Sequence, residues 1–425
     1  MGTIAIRNAR IIDGSGSPGF PGDVLVREGR IASVGAAGAA DREVDAGGMV
    51  LCPGFVDVHS HDDGAFIRYP GMQFKLAQGV TTEVSGNCGF SAAPNRPGER
   101  LPVGGGIVGS ESTWEDMEGY FGACEARRPA INNAMLVGHN TVRWLAMGME
   151  RREPTAEEMA TMRGLVTKAM EQGAVGFSTG LIYEPGRYSQ TDEVVTLCAE
   201  SGAAGGVYAT HMRNEGDKLL DAVREALHIA REAKTPLHIS HHKASGKRNW
   251  GRVGESFALA EGEGADVEVT WDVYPYIAGS GPMAQYFRLD AVDTVLAENT
   301  RIANCPAFRE YEGRMVPEIA GAEGLSLEET VRRIITAPRG TETICIQFTM
   351  DEGDVATNLR HPRVMVGSDG IPDLNGKPHP RLYGTFPRVL GKYVREEGVL
   401  GLEEAIRRMT SLSCERFGLA GRGRV

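Results

Sequence analysis

Six residues able to bind a metal or move a proton recur at one kind of position. His59, His61, Cys88, His211, His241 and Asp369 each stand at or just past the end of a short apolar run. In extended chain, side chains two residues apart share a face, so the imidazoles of His59-Ser-His61 can reach one ion. Taken alone, the pair reads equally well as two exposed histidines beyond a strand. A single histidine such as His211 or His241 is more often structural than a ligand. Two on successive runs, beside a His-x-His pair and a thiol, make a metal-binding set. Asp369 lies in Gly-Ser-Asp-Gly, a sequence that suits an ordinary turn aspartate; beside a metal it becomes a general base.

The elements that must position these residues begin after residue 50. Strands are expected at 55–59, 80–85, 132–138, 174–179, 206–211, 236–241, 267–273 and 363–368, with helices between them at 155–172, 191–201, 217–233 and 252–263. Thr155-Ala-Glu-Glu carries the signature of a helix start. Alternating strands and helices over this length favour a (β/α)8 barrel of the TIM type, whose strand ends converge on one face. The polar residues fall at those ends, strand after strand. Segments 4–13 and 23–35 alternate between Gly-rich breaks and predict a small β domain over 1–49, ahead of a barrel over 50–420. About ninety residues separate the seventh strand from the eighth, far more than one helix needs, so 280–354 is expected to form an inserted subdomain over the active face, with helices at 289–297 and 326–336.

Composition narrows the partners. A 425-residue chain with 41% hydrophobic and 24% charged residues is an ordinary globular protein. Its formal charge of −11, with no Lys/Arg-dense block, argues against nucleic acid and anionic membrane surfaces. The seven cysteines are scattered and never form CxxC, as expected of reduced cytoplasmic thiols. There is no signal-peptide pattern and no run near the ~18 apolar residues of a membrane span.

The run Met49-Val-Leu-Cys-Pro-Gly-Phe-Val-Asp-Val-His-Ser-His61 resembles the amidohydrolase superfamily. Further segments sharpen the resemblance: Gly79-Val-Thr-Thr-Glu-Val-Ser-Gly-Asn-Cys-Gly-Phe90, Gly176-Phe-Ser-Thr-Gly-Leu-Ile-Tyr-Glu-Pro185, Thr210-His-Met-Arg-Asn-Glu215, Ile239-Ser-His-His-Lys243, Asp272-Val-Tyr-Pro-Tyr-Ile-Ala-Gly-Ser280 and Val366-Gly-Ser-Asp-Gly370. Together they look like the N-acyl-D-amino-acid deacylases, or D-aminoacylases, from about residue 3 to 420. Many amidohydrolases place a carboxylated lysine at the end of the fourth strand. Here that strand has none, and Cys88 can supply the missing negative ligand, although a buried inert thiol is the commoner role of cysteine.

The resemblance implies one tight Zn²⁺ held by Cys88, His211 and His241, and a second, weaker position lined by His59, His61 and Asp369. His242 is expected to support the site rather than ligate. The resemblance also makes Tyr183, Lys243, Ser280 and Arg381 the group that binds the carboxylate of a small-molecule substrate, although either cation can instead be solvated. The implied reaction is hydrolysis of an N-acyl-D-amino acid, with Asp369 accepting the attacking water's proton and passing it to the amine. Relatives continue beyond the position of Val425 with strands that complete the small β domain, so the resemblance implies either a truncated sequence or a β domain reduced to its N-terminal strands. Two other readings compete. Cyclic-amide hydrolysis, as in hydantoinases and dihydroorotases, has the missing fourth-strand lysine and the Asn-Cys-Gly motif against it. A barrel that binds without catalysing should have lost ligands, yet all six are present.

Overall fold

The computed structural model describes residues 2–99 and 112–425. The first strands form a small sheet: β1 (Thr3–Ile11), β2 (Phe20–Arg27), β3 (Arg30–Gly35), β4 (Arg42–Asp45) and β5 (Val50–Leu51). β1 to β3 pair antiparallel, while β4 and β5 run parallel to β1. The 23–35 segment is a hairpin, turned by Glu28 and Gly29, both at positive φ. Ala9, Ile11, Val24 and Ala46 form its core, against which Val425 packs.

A parallel barrel follows, with β6 (Phe55–Asp57), β7 (Val80–Ser85), β8 (Asn132–Gly138), β9 (Gly176–Gly180), β10 (Val207–His211), β11 (Leu237–Ile239) and β12 (Val269–Val273). After the insertion come β13 (Gly279–Pro282), β14 (Thr300–Asn304) and β15 (Ile344–Gln347), and finally β16 (Val364–Val366), which pairs with β12. Eight strands thus run in the order β16-β12-β11-β10-β9-β8-β7-β6. β9, β10 and β12 are buried throughout, as parallel strands covered on both faces must be. Helix Leu219–Ala233 buries Leu219, Ala222, Val223, Ala226, Leu227 and Ala230, a stripe at three- and four-residue spacing that covers the sheet. Helix Ala156–Glu171 starts with the expected capping box, Thr155 and Glu158 bonding each other's backbone.

The seam between β16 and β6 has no regular ladder. A single bridge, Ser60 with Gly370, closes it, together with bonds from His61 N to Gly370 O at 3.0 Å and from Asp369 N to His59 O at 2.7 Å. Gly367 is required here: a Cβ would stand 2.5 Å from His59 Cβ and 2.9 Å from Asp272 Oδ1.

In the insertion, β13, β15 and β14 form an antiparallel sheet with its own apolar core around Ile302, Ile319, Val331 and Cys345. The sequence predicted only helices there. Leu327–Thr336 forms as expected behind the N-cap Ser326, but the first helix is confined to Thr294–Glu298, because Asp293 caps it and fixes its start. The strands escaped notice because they are short, and β13 reads Gly-Ser-Gly-Pro.

Candidate metal centre

The barrel's strand ends bring all six nominated residues together. Cys88 Sγ lies 3.4 Å from His59 Nε2, 3.4 Å from His241 Nε2 and 3.7 Å from His211 Nδ1. Asp369 Oδ1 lies 3.2 Å from His61 Nε2 and 3.7 Å from His59 Nε2. Ligand atoms of Cys88, His211 and His241 fall within 4.8 Å of one another, as do those of His59, His61 and Cys88 and those of His59, His241 and Asp369.

Local backbone makes this convergence possible. Cys88, His241 and Asp369 hold φ of +55°, +36° and +50°, a left-handed conformation rare for residues with a side chain. Such strain concentrates at functional sites, where surrounding structure over-determines it. The turn of Cys88 packs so tightly on β9 that a Cβ at Gly180 would lie 2.1 Å from Cys88 O. Ser178 of β9 accepts a hydrogen bond from Gly89 N at 3.0 Å. Where a lysine is absent, the fourth strand thus gives room and a hydroxyl to the cysteine turn. His241 is held by its own N–H, which donates to Asp272 Oδ1 at 2.9 Å.

Carboxylates that the sequence reading did not nominate orient the imidazoles. Asp272 Oδ2 contacts His59 Nδ1 at 3.2 Å and His238 Nε2 at 2.9 Å. Glu215 Oε1 lies 2.9 Å from His241 Nδ1 and 2.7 Å from Lys243 Nζ. Carboxylate–histidine pairs of this kind fix the tautomer and aim the other ring nitrogen. Glu215 had a detectable signal, since it stands four residues after His211 and its Oε2 comes within 3.5 Å of His211 Nε2.

The electrostatics match a metal-binding set. Burial raises the pKa of the Cys88 thiol, but the His59 and His241 imidazoles more than reverse this and hold it well below the ordinary value. Burial likewise opposes ionisation of Asp369, and Arg381, with His61, outweighs it. The Arg381 guanidinium contacts Asp369 Oδ2 at 2.7 Å. Glu215 is kept ionised against its burial by His211 and Lys243. A thiolate with converging imidazoles, two of them backed by carboxylates, fits zinc.

Three of the four nominated carboxylate-binding residues, Tyr183, Lys243 and Ser280, line a cleft of about 770 Å³ over these groups, with Asp369 also in its wall. Arg381 stands behind, donating to Ser280 O at 2.9 Å and covering the Tyr274 ring at 4.6 Å. Both cations already face a carboxylate of the chain: Lys243 has Glu215, and Arg381 has Asp369. Tyr183 sets its ring edge-on to His211, with its hydroxyl 3.4 Å from that of Tyr286. His242 stands apart from the ligand-type groups, as expected of a residue that does not ligate, but it bonds none of them. It points away from the centre, between Asn358 Oδ1 at 2.7 Å and Ser256 Oγ at 2.6 Å, and packs on Phe257. The chain has left β11 and turns through the left-handed His241, and His242 N donates to Asp272 O at 2.8 Å, so its ring joins the outer layer.

A metal-site barrel with a small N-terminal sheet has close relatives. The sequence model of the amidohydrolase family matches residues 42–335. The chain is 42% identical to D-aminoacylase of Alcaligenes xylosoxydans xylosoxydans over 99% of this chain and 85% of that protein. It is 41% identical to N-acyl-D-glutamate deacylase of the same organism, over 99% and 84%. The crystal structure of N-acyl-D-glutamate deacylase from Bordetella bronchiseptica, complexed with zinc and a phosphonate mimic of the tetrahedral intermediate, matches with a TM-score of 0.91 at 39% identity, covering 99% of this chain and 87% of that one. The chain belongs to the amidohydrolase family and, within it, to the N-acyl-D-amino-acid deacylases, metal-dependent hydrolases of linear amide C–N bonds.

Proposed function

We propose that this chain hydrolyses N-acyl-D-amino acids to a carboxylate and a free D-amino acid, with one tight zinc held by Cys88, His211 and His241. A second, weaker metal position is lined by His59, His61 and Asp369. The observation that carries the reading is the approach of three imidazole nitrogens to the Cys88 sulfur at 3.4–3.7 Å, with Asp369 3.2 Å from His61. Bound zinc would supply Lewis acidity, polarising the scissile carbonyl and activating water.

The chain's own residues do the rest. Asp369, kept ionised by Arg381 and His61, is a proton acceptor aimed into the cleft, and the proton it takes from the attacking water is the one the departing amine needs. Lys243 and Arg381 draw the substrate carboxylate, with Tyr183 and Ser280 as neutral partners. Glu215 aligns His241 and Lys243 together. Fixed carboxylate, metal and base contacts hold a chiral centre at three points, which discriminates between enantiomers, and the D preference is taken from the deacylases that this chain resembles. The cleft suits a small molecule with a free carboxylate, and the scattered free cysteines suit a reducing cytoplasm. No helix among the described residues is long and apolar enough to cross a membrane.

A panel of zinc-loaded assays tests the reading by amine release from N-acetyl-D-amino acids, their L enantiomers and ring amides. Selective turnover of the D-series is expected. Equal rates on both enantiomers, or turnover of ring amides alone, would refute it.

A further inference from the structure

At the seam between the first and last barrel strands lies a lysine that this chemistry does not use. Lys75, in the short helix Gln73–Leu76, is completely buried, as are Asp57, Asp62, Glu83 and Ser368 around it. Its ammonium bonds Asp57 Oδ2 and Ser368 Oγ, the latter at 2.9 Å. Asp62 Oδ2 lies 2.9 Å away and Glu83 Oε2 3.6 Å. An ion cluster this deep does not explain itself by stability, because apolar residues of similar volume generally fill such space at least as well.

Its placement offers a reason. The seam has one bridge where other strand pairs have a ladder, so something else must set its spacing. Asp57 Oδ1 accepts hydrogen bonds from Ser368 N at 2.8 Å and His59 N at 3.3 Å. Ser368 Oγ accepts one from Gly370 N at 3.1 Å. Lys75 therefore grips the two groups that anchor both neighbours of Asp369, whose own backbone is left-handed, and one of them also anchors His59.

We infer that Lys75 is a positioning residue: through Asp57 and Ser368 it sets the distance between the first-strand histidines and Asp369. The inference rests on the roles given above to His59, His61 and Asp369. Removing Lys75 strands three carboxyl groups in the interior and endangers folding, so the test uses Ser368→Ala, which cuts one arm and leaves the ion cluster. Leu197→Ala, a fully buried change in the outer helix Thr191–Ala203, is the control for a stability loss alone.

Groups that orient ligands typically contribute ~10–100-fold to metal affinity or activity. Ser368→Ala should lose kcat within that range, keep KM within about twofold, and retain its first zinc equivalent. Calorimetry should show the second zinc equivalent bound ~10–100-fold more weakly. Leu197→Ala should keep kcat and both affinities at a comparable fall in Tm. Wild-type kcat and second-zinc affinity in Ser368→Ala, or the same losses in Leu197→Ala, would overturn the inference. The zinc isotherms need no substrate, so inactivity of the wild type on N-acyl-D-amino acids would count against the proposed function and leave this comparison standing.

Discussion

Asp369→Asn separates chemistry from metal binding. The substitution is nearly isosteric and leaves Cys88, His211 and His241 untouched, so the tight zinc should remain. It removes the charge that Arg381 contacts at 2.7 Å and His61 at 3.2 Å. Breaking a buried ion pair from one side costs about 3–5 kcal/mol. Arg381 keeps Ser280 O, the Tyr274 ring and the oxygen of the new amide as partners, which places the expected stability loss below that range. Activity should suffer more, because an amide cannot accept a proton at neutral pH. General acid–base catalysis is worth ~10²–10⁴-fold, and Asp369 is proposed to serve two proton transfers, so kcat should fall by ~10³–10⁴. The assay compares kcat, metal content and Tm of mutant and wild type side by side. A folded, zinc-loaded mutant that retains more than about a tenth of wild-type kcat would show that Asp369 is not the base. Zinc lost together with activity would show it to be chiefly a ligand.

Cys88→Ala should lose both zinc and activity, whereas Cys124→Ala and Cys198→Ala, whose thiols are pushed up by burial, should keep both. A fully active Cys88→Ala enzyme would reduce that thiol to packing. His242 gives a pH signature of the outer layer: burial pushes its pKa down from 6.5 to about 4. The unfolded chain therefore binds the extra proton first, and stability present above pH 6.5 is lost as pH falls towards 4. The shift corresponds to roughly 3 kcal/mol. His242→Gln should flatten that acid limb in denaturant titrations, and an unchanged limb would contradict the assignment.

The sequence located the barrel where hydrophobic pattern and backbone agree, and fell short where function bends the chain. β7, rich in β-branched Val and Thr, and β8, with the apolar run at 134–137, match the expected 80–85 and 132–138. β6, β11 and β16 end two residues early, at Asp57, Ile239 and Val366, because the chain leaves the ladder to aim His59, His241 and Asp369 inward. Two of those three residues are left-handed, a conformation that no alternation of apolar residues encodes. The six ligand-type residues were legible because they recur at the ends of successive expected strands. Lys75 was not: its partners come from positions 57, 62, 83 and 368, and a lysine in a four-residue helix looks like surface. Asp272 was visible as a strand residue, but its grip on His59 and His241 belongs to tertiary structure.

Stepwise return of zinc to chelated protein bears most directly on the central claim, with amine release followed from an N-acetyl-D-amino acid and its L enantiomer. With Cys88, His211 and His241 forming one tight site, D-turnover should climb from background to a plateau at about one equivalent per chain, and L-turnover should stay at background. Full D-turnover in the metal-free protein, or equal turnover of both enantiomers at the plateau, would contradict the account.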